Sequence, residues 1–276
     1  MDIQRKAVYF RELHQRRPLI LPTAWDAASA RAMELAGASA IATTSAGVSW
    51  ALGRGDGQTL QRDEMIQAVR RIVEAVTIPV TVDIEGGYGN GSVQDIAETT
   101  RAVIDAGAVG INLEDSPGVE GALLLEPDIH AERIRTARAT AASMGIDLVI
   151  NARTDVYLLA VGAPETRLDE AVRRTNLYHD AGADCLFVPG VIDVETIRQL
   201  VEAINGPVNI MAMPGAPTVP QLGELGVARV SFGPALMQAM LTTTQEMVSE
   251  LLDRGTYQKL ESSQSFATIN GWFTAR

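Results

Sequence analysis

Short apolar runs alternate along this chain with longer segments whose apolar positions recur at helical spacing. Several of the short runs are almost continuously apolar, which is typical of parallel strands buried on both faces. The pattern predicts eight such strands, in the segments 19–25, 40–47, 78–87, 110–116, 147–157, 185–190, 208–215 and 228–233. The longer segments predict helices that lead from the end of one strand to the start of the next.

The ends of these helices carry their own signals. Asp26 is suited to cap the helix after the first run, and Ser92 with Asp95 three residues later forms a capping-box pattern. A glycine closes the helical pattern just before a strand in four places, at 36–39, 106–109, 181–184 and 225–228. Because glycine is the usual residue just past a helix C-terminus, these repeats support the alternation of helix and strand.

Eight strands alternating with helices in 276 residues indicate an α/β protein, a (β/α)8 TIM barrel, which typically takes about 250 residues. A doubly wound sheet is the alternative. It normally shows a G-x-G-x-x-G turn after its first strand, whereas residues 22–26 here read PTAWD. No linker divides the chain, so we predict a single domain over 1–276 with a C-terminal helical extension. A tail of that length could cover a neighbouring subunit.

The formal net charge of −11 narrows the range of partners. Nucleic acids and anionic membrane surfaces select for basic patches, so the charge argues against both. No apolar run approaches the roughly 20 residues of a membrane helix, and the polar N-terminus, MDIQRKAVYF, shows no signal peptide. The single cysteine, Cys185, excludes an intrachain disulfide. We therefore expect a cytoplasmic protein.

Polar side chains cluster where the predicted strands end, which is where a (β/α)8 barrel carries its active site. These residues are Trp25, Asp26, Thr44, Ser45, Gly47, Asp83, Glu85, Glu114, Asp115, Asn151, Arg153, Asp155 and Asn209. The carboxylates at the third and fourth strand ends would repel each other in a restricted space. A hard divalent cation relieves that repulsion, and carboxylate and water ligands suit Mg2+ or Mn2+.

Asp83 and Glu85 lie two residues apart, so on one strand both side chains would point to the same face. If that face is the barrel interior, they reach the same volume, and the glycines that follow let a ligand approach closely. Alternatively, these acids only cap helices or anchor loops. Arg153 suits the clamping of a carboxylate or phosphonate, or else forms a structural ion pair. The small residues 45–47 offer an oxyanion cradle, or merely a tight turn.

Other catalytic patterns are missing. No H-E-x-x-H, G-x-S-x-G or Walker sequence is present. The histidines His14, His130 and His179 are scattered, and we expect them at the surface rather than as ligands. Asp56, in the glycine-rich GRGDGQ, is by itself more typical of a turn.

Five segments, PTAWDAASA, IATTSAGVSW, VDIEGGYGN, GINLEDS and INARTD, occur in an order that strongly resembles the isocitrate lyase/phosphoenolpyruvate mutase superfamily. The likeness runs from about residue 18 to residue 235. It implies a (β/α)8 barrel whose last helix swaps between subunits, giving a homodimer or homotetramer. It also implies Mg2+ and a small 2-oxo or 2-hydroxy acid substrate that passes through an enolate or enolpyruvate-like species.

The resemblance further implies roles for single residues. Asp83 matches the direct Mg2+ ligand, with Glu85 and Glu114 as its water-mediated partners. The superfamily more often has aspartate where this chain has Glu85, and glycine where it has Ala46. The substrate-binding candidates are Trp25, Ser45, Ala46, Gly47, Arg153 and Asn209. The catalytic candidates are Asp56, a further acid near the metal, Arg153, the substrate clamp, and Tyr88, a proton donor to the enolate.

Departures from the superfamily bear on the reaction. After the fourth strand the lyases carry Lys-Lys-Cys-Gly-His on a mobile lid, and the mutases carry a lysine and an asparagine. The segment 116–130 here, SPGVEGALLLEPDIH, has none of these residue types except histidine and glycine. We expect it to form a hinged apolar cap, or simply a surface loop. The lyases' Asn-x-Thr-Glu segment on the seventh strand is replaced by NIMAMPG, which removes polar groups that bind a second carboxylate.

The combined expectation is a Mg2+-dependent lyase that cleaves a C–C bond of a 2-oxo or 2-hydroxy acid through an enolate. Decarboxylation of an oxaloacetate-like substrate needs the fewest further groups and is the preferred subclass. The first alternative is P–C bond chemistry on phosphonopyruvate, by a mutase or hydrolase, which a lid without lysine disfavours. The second is a non-catalytic binder of 2-oxo acids, although simple binding does not require so many carboxylates.

Overall fold

Pro22 lies between two short strands that occupy the place of the first predicted one, because proline has no N–H to donate to a neighbouring strand. β1 (Leu19–Leu21) pairs with the last strand of the chain and β2 (Thr23–Ala24) pairs with the following one, so the two halves bring the ends of the sheet together. This arrangement is seen in a computed structural model, which describes residues 2–15, 18–117 and 123–274.

Seven further strands complete the sheet. They are β3 (Ile41–Thr43), β4 (Val80–Asp83), β5 (Gly110–Glu114), β6 (Val149–Arg153), β7 (Cys185–Phe187), β8 (Val208–Met211) and β9 (Arg229–Ser231). Every pairing is parallel, in the order β1-β9-β8-β7-β6-β5-β4-β3-β2. The nine strands form a nearly closed barrel, which confirms the predicted (β/α)8 fold.

Helices alternate with the strands as predicted. They are α1 (Ile3–Leu13), α2 (Ala27–Leu35), α3 (Ser45–Ala51), α4 (Arg62–Ala75), α5 (Val93–Asp105), α6 (Pro127–Ser143), α7 (Arg167–Asp180), α8 (Val194–Ala203), α9 (Val219–Glu224), α10 (Ala235–Arg254) and α11 (Phe266–Thr274). Two short 3-10 turns, Pro164–Thr166 and Gln258–Leu260, precede α7 and follow α10.

The predicted helix ends are confirmed. The Asp26 side chain accepts from the backbone N–H of Ser29 at the start of α2. Ser92 and Asp95 form the predicted capping box at the start of α5, with each side chain accepting from the other residue's backbone N–H. Gly107, just past α5, has a φ of 91°, a conformation that costs glycine little because it has no Cβ.

Helix α1 packs its buried face against the amino-terminal end of the barrel. Phe10 is fully buried, and a Cβ on Gly110 would lie 2.9 Å from the Phe10 ring and 2.6 Å from Thr81 Oγ1. Position 110 therefore has no room for a side chain. His14 caps this helix and contacts the Phe10 carbonyl at 2.9 Å through Nδ1.

Two of the three histidines are not at the surface. His14 is 7% exposed, and His130 is fully buried with its ring edge-on to Tyr178 at 4.6 Å between centroids. The expectation of surface positions is wrong for both. Their helices turn these rings inward, and burial lowers the pKa of His14 to about 4, with the nearby Arg229 acting in the same direction.

The segment 116–130 is seen only in part. Residues 118–122 of the expected lid lie outside the described residues, and α6 already begins at Pro127. Arg174 Nη1 donates to the carbonyl of Leu125 at 2.8 Å, and the Leu125 N–H donates to the carbonyl of Asp115 at 2.8 Å. The C-terminal end of the segment is therefore held to the barrel.

The C-terminal extension contains helices α10 and α11 and the 3-10 turn between them. Helix α10 leaves the barrel after β9, and α11 lies beside α2, where Arg31 Nε donates to the carbonyl of Trp272 at 2.9 Å. Several large apolar side chains of the extension are exposed, among them Leu252 and Phe266. None of the helices in the described part of the chain has the length and apolar character needed to span a membrane.

Candidate functional site

A cavity of about 350 Å3 opens at the carboxyl ends of the strands and reaches into the barrel. This is the end of the fold where (β/α)8 enzymes carry their active sites. Six of the predicted site residues line it, namely Ser45, Ala46, Asp56, Asp83, Arg153 and Asn209. Trp25, Gly47, Glu85, Tyr88 and Glu114 are held next to these residues by contacts described below.

Asp83 is the last residue of β4, and both of its carboxylate oxygens are held. Oδ2 accepts from the backbone N–H of Ser45 at 3.1 Å, and Oδ1 accepts from Asn112 Nδ2 at 2.9 Å. Asn112 in turn accepts from Asn151 Nδ2 at 2.8 Å. Neighbouring strands therefore fix the orientation of the Asp83 carboxylate at the cavity wall.

Glu85 reaches the same region by a route that the strand pattern did not predict. Strand β4 ends at Asp83, and Glu85 has a φ of 50°, so the two residues do not alternate along one strand. The turn nevertheless brings Glu85 beside Asp83, whose Oδ1 lies 3.4 Å from the Glu85 backbone nitrogen. The argument from residue alternation is thus wrong, although its outcome, two acids side by side, agrees with the structure.

The Glu85 carboxylate is buried and accepts two hydrogen bonds. Oε2 accepts from the backbone N–H of Gln58 at 2.5 Å, and Oε1 accepts from the Tyr88 hydroxyl at 3.1 Å. Tyr88 is 3% exposed, and this hydrogen bond encloses its hydroxyl in the turn together with the Glu85 carboxylate. Gly87 allows this turn: its φ is 99°, and a Cβ there would lie 2.1 Å from Ile96 Cδ1.

Negative charge is in excess around this turn. Burial, followed by the charges of Asp83 and Asp56, raises the pKa of Glu85 to about 7. Burial also raises the pKa of Glu114 well above its ordinary value, and Arg153 offsets only part of that effect. These pKa shifts arise because the carboxylates repel each other and are only partly solvated. A bound cation would stabilise their charged forms.

Arg153 closes strand β6 and lies between two acids. Nη1 is 2.8 Å from Glu114 Oε2, and Nε and Nη2 donate to the two oxygens of Asp155 at 2.6 and 2.9 Å. Burial lowers the pKa of Arg153, but the charges of Glu114 and Asp155 outweigh burial and raise the pKa above its ordinary value. Arg153 therefore forms the structural ion pairs that were the alternative interpretation, and it also lines the cavity.

Ser45, Ala46 and Gly47 begin helix α3, which starts two residues after β3 ends. A Cβ on Gly47 would lie 2.7 Å from Thr44 Cγ2 and 3.0 Å from Trp25 Cβ, so this position must be glycine. Trp25, at 9% exposure, thus packs against the turn rather than into the cavity. Residues 45–47 therefore form a tight turn into α3, and Ser45 and Ala46 of that turn line the cavity, where an oxyanion cradle would be needed.

The fit to a metal ion can be tested on these contacts. Among the described residues, no three Asp, Glu, His or Cys side chains are arranged to bind one ion together. Asp83 lines the cavity directly, while Glu85 and Glu114 stand behind it with raised pKa values. One direct carboxylate ligand with water-mediated contacts to the other acids is compatible with this arrangement.

Sequence reasoning missed Asn112 and the apolar side of the cavity. Asn112 lies two residues before Glu114 on β5, and the period of two along a strand would have placed it on the same face. Asn151 was noted as a strand-end residue, but its bond to Asn112 could not be foreseen. The large apolar side chains of the lining come from four separate segments, around residues 158, 187–189, 211–213 and 232, so no single motif marks it.

Comparisons with known proteins agree with this geometry. The sequence model of the phosphoenolpyruvate phosphomutase family matches residues 10–252. The 2-methylisocitrate lyase of Escherichia coli is 29% identical over 90% of this chain and 84% of its own. A solved Burkholderia cenocepacia protein, provisionally named a lyase/mutase, is 35% identical with a TM-score of 0.91, covering 99% of this chain and 97% of its own.

A further solved structure carries a specific activity in its name. The 2,3-dimethylmalate lyase is 25% identical with a TM-score of 0.84, and the match covers 97% of this chain and 94% of that one. The named activities among the similar proteins include both lyases and a phosphorylmutase, and the matching family is named for a mutase. This chain belongs to the phosphoenolpyruvate phosphomutase family, within the PEP mutase/isocitrate lyase superfamily.

Proposed function

We propose that this protein is a Mg2+-dependent carbon–carbon lyase acting on a small 2-oxo or 2-hydroxy carboxylic acid. One observation carries the proposal: Asp83 and Arg153 line one cavity, with Glu85 and Glu114 in contact behind them. Acids with raised pKa values beside a buried guanidinium are typical of sites that bind a cation and an anionic substrate together. Membership of a family that includes named lyases supports the same conclusion.

Asp83 would hold the ion directly, and Glu85 and Glu114 would hold it through water. When bound, Mg2+ would supply stabilisation of the negative charge that develops on the substrate oxygens as an enolate forms. Arg153 would bind a substrate carboxylate, and Glu114 and Asp155 fix the plane of its guanidinium for that contact. The 45–47 turn would orient the other end of the substrate.

Tyr88 is better suited to positioning than to proton donation. Burial raises its pKa above the ordinary value, and the adjacent charge of Glu85 acts in the same direction. Loss of the proton from this hydroxyl is therefore unfavourable. We propose that Tyr88 holds the Glu85 carboxylate in place. Asp56, at the cavity and near Glu85, remains the candidate for acid–base work.

The first prediction concerns Asp83→Ala. We expect this variant to stay folded and to lose Mg2+ binding and Mg2+-dependent turnover, because it removes the carboxylate that lines the cavity. Isothermal titration with MgCl2, and a panel of 2-oxo and 2-hydroxy acids assayed with Mg2+ and with EDTA, would measure both effects. Asp26→Asn, at the cap of α2, is the control that changes an acid without touching the cavity. No Mg2+-dependent turnover by the wild type across the panel would refute the proposed function.

A phosphonopyruvate mutase or hydrolase is the second candidate, and the description of the matching family favours it. The same Arg153 could bind a phosphonate as well as a carboxylate. Incubation with phosphonopyruvate followed by 31P NMR separates the two reactions. A new phosphate-ester or inorganic phosphate signal that requires the protein and Mg2+ would select P–C chemistry over C–C cleavage.

A further inference from the structure

The cavity has two chemically different sides. Its polar side comes from the strand ends β3 to β6 and includes Thr43, Ser45, Asp56, Asp83, Asn112 and Arg153. The opposite side comes mainly from the ends of β7, β8 and β9. We call it the apolar wall, and define it by Leu158, Phe187, Pro189, Met211, Met213 and Phe232. A ligand that fills the cavity must therefore match a polar surface at one end and a hydrocarbon surface at the other.

The apolar wall lies at the same level of the barrel as Arg153, one of the residues proposed to hold the substrate. Phe187 is paired with Arg153 in the sheet, and its ring centroid is 5.9 Å from the guanidinium carbon. Met211 ends β8, and Met213 lies two residues beyond it. A substrate held by Asp83 and Arg153 would thus direct its remaining substituent onto these side chains.

None of the six side chains of the wall donates a hydrogen bond to an anionic substituent, and the donors on the same side of the cavity are Asn209, Arg229, Ser231 and Gln238. An unpaired carboxylate buried against apolar side chains loses hydration without compensation, whereas each buried methylene group improves binding about fourfold. Within the described part of the chain, the cations lining the cavity are Arg153 and Arg229. Arg153 is already paired with two acids, so Arg229 is the cation of this lining that is left for a second carboxylate.

Arg229 is poorly placed for that task. It is the first residue of β9, two residues before Ser231, so it lies deeper in the barrel than the strand ends. It is 2% exposed, and its Nε and Nη1 are enclosed without a hydrogen-bond partner. Burial lowers the pKa of Arg229 to about 10, and the charges of Cys185 and Asp83 offset part of that effect. Arg229 lies beside Asn209 in the sheet register, so a carboxylate bound to it would lie below the end of β9 and away from the wall.

We propose that the substrate carries an uncharged hydrocarbon substituent that packs on the apolar wall, in place of the second carboxylate of a dicarboxylic acid. An oxaloacetate-like acid, which decarboxylates by losing that carboxylate, is then not the substrate. The C–C bond broken is the C3–C4 bond of a 4-hydroxy-2-oxo acid: its electron pair forms the enolate, and the C4 hydroxyl loses its proton as an aldehyde leaves. This inference rests on the proposed function, because the orientation assumes that the chelating end of a 2-oxo or 2-hydroxy acid lies at Asp83 and Arg153. Specificity then comes from the wall, and the polar side contributes affinity common to all such acids.

The test uses two acids of nearly equal shape. Malate carries a carboxylate at the position where 2-hydroxy-4-methylpentanoate carries an isopropyl group, and the two acids are otherwise the same. Both enantiomers of each acid are titrated into the full-length protein in the presence of Mg2+. We expect the alkyl acid to bind at least tenfold more tightly than malate. Tighter binding of malate would overturn this inference and leave the lyase proposal standing. Failure of both acids to bind would count against the proposed function itself.

Two variants and one control test which residues determine the preference for the alkyl acid over malate. Met213→Arg adds a cation at the rim of the wall, where Met213 is 36% exposed and a larger side chain can be accommodated. We expect it to shift the ratio of affinities toward malate by about tenfold, while Leu35→Arg, at the C-terminal end of α2, leaves the ratio unchanged. Arg229→Met should also leave it unchanged. A selective loss of malate binding in Arg229→Met would place a carboxylate deep in the barrel and refute the inference, and the wild-type ratio decides the matter if that variant does not fold.

Discussion

Glu85 shows how one buried carboxyl can link pH, stability and metal binding. In the protein without metal its pKa is raised from 4.5 to about 7, so the folded state binds a proton that the unfolded state has released. Stability from this group is therefore fully present below pH 4.5 and is lost as the pH rises through 7. A shift of that size corresponds to about 3 kcal/mol.

We predict that the free energy of unfolding in EDTA falls between pH 5 and pH 8 in urea titrations, at a slope set partly by Glu85. Glu114 and Asp155 act in the same direction, because burial raises the pKa of each. Glu85→Gln keeps the shape of the side chain and should flatten the slope without removing it. An unchanged slope in this variant would show that Glu85 does not titrate in this range.

At the scale of elements, a buried network joins helix α7 to the ends of two strands. Asp115, fully buried after β5, accepts from the Tyr178 hydroxyl at 2.8 Å, from Arg174 Nη1 at 3.1 Å and from the backbone N–H of Asp155 at 3.0 Å. Asp155 in turn holds Arg153. The position of the arginine at the cavity thus depends on a helix on the outside of the barrel.

We predict that Tyr178→Phe lowers the free energy of unfolding by about 2 kcal/mol, because it removes one hydrogen bond to a buried carboxylate. Asp115→Asn should cost more, about 3 kcal/mol, since it removes the buried carboxylate beside Arg174 Nη1 and leaves Arg174 with Glu170 as its acidic partner. Tyr257→Phe, at 67% exposure, is the matched control and should change little. Equal urea midpoints for Tyr178→Phe and wild type would show that the hydroxyl contributes nothing to stability.

The elements that local patterns specify are those that could be predicted. Strand and helix alternation, the cap at Asp26 and the box at Ser92 and Asp95 depend on residues near each other in sequence, and the structure agrees with each. The turn at Glu85 depends on the backbone of Gly87 fitting against the Ile96 side chain on the next helix, which periodicity does not reveal. For the same reason the apolar wall became visible only when separate strands were brought together.

At the scale of the whole molecule, the C-terminal extension exposes several large apolar side chains. Leu252 is 80% exposed and Phe266 is 85% exposed, and Met240, Leu241 and Val248 are also exposed on α10. Burying such side chains contributes roughly 2 kcal/mol each. A second copy of this chain is the partner expected from the superfamily resemblance, as a homodimer or homotetramer with a swapped last helix.

We predict that light scattering coupled to gel filtration gives two or four times the chain mass of 29.5 kDa. The double variant Leu252→Asp with Phe266→Asp should shift the mass toward that of one chain, because two carboxylates would then have to be buried in an apolar interface. Val93→Asp, which adds an acid at a position on α5 that is 48% exposed, should leave the mass unchanged. A wild-type mass of 29.5 kDa at micromolar concentration would contradict the prediction and leave the extension as a surface of the single barrel.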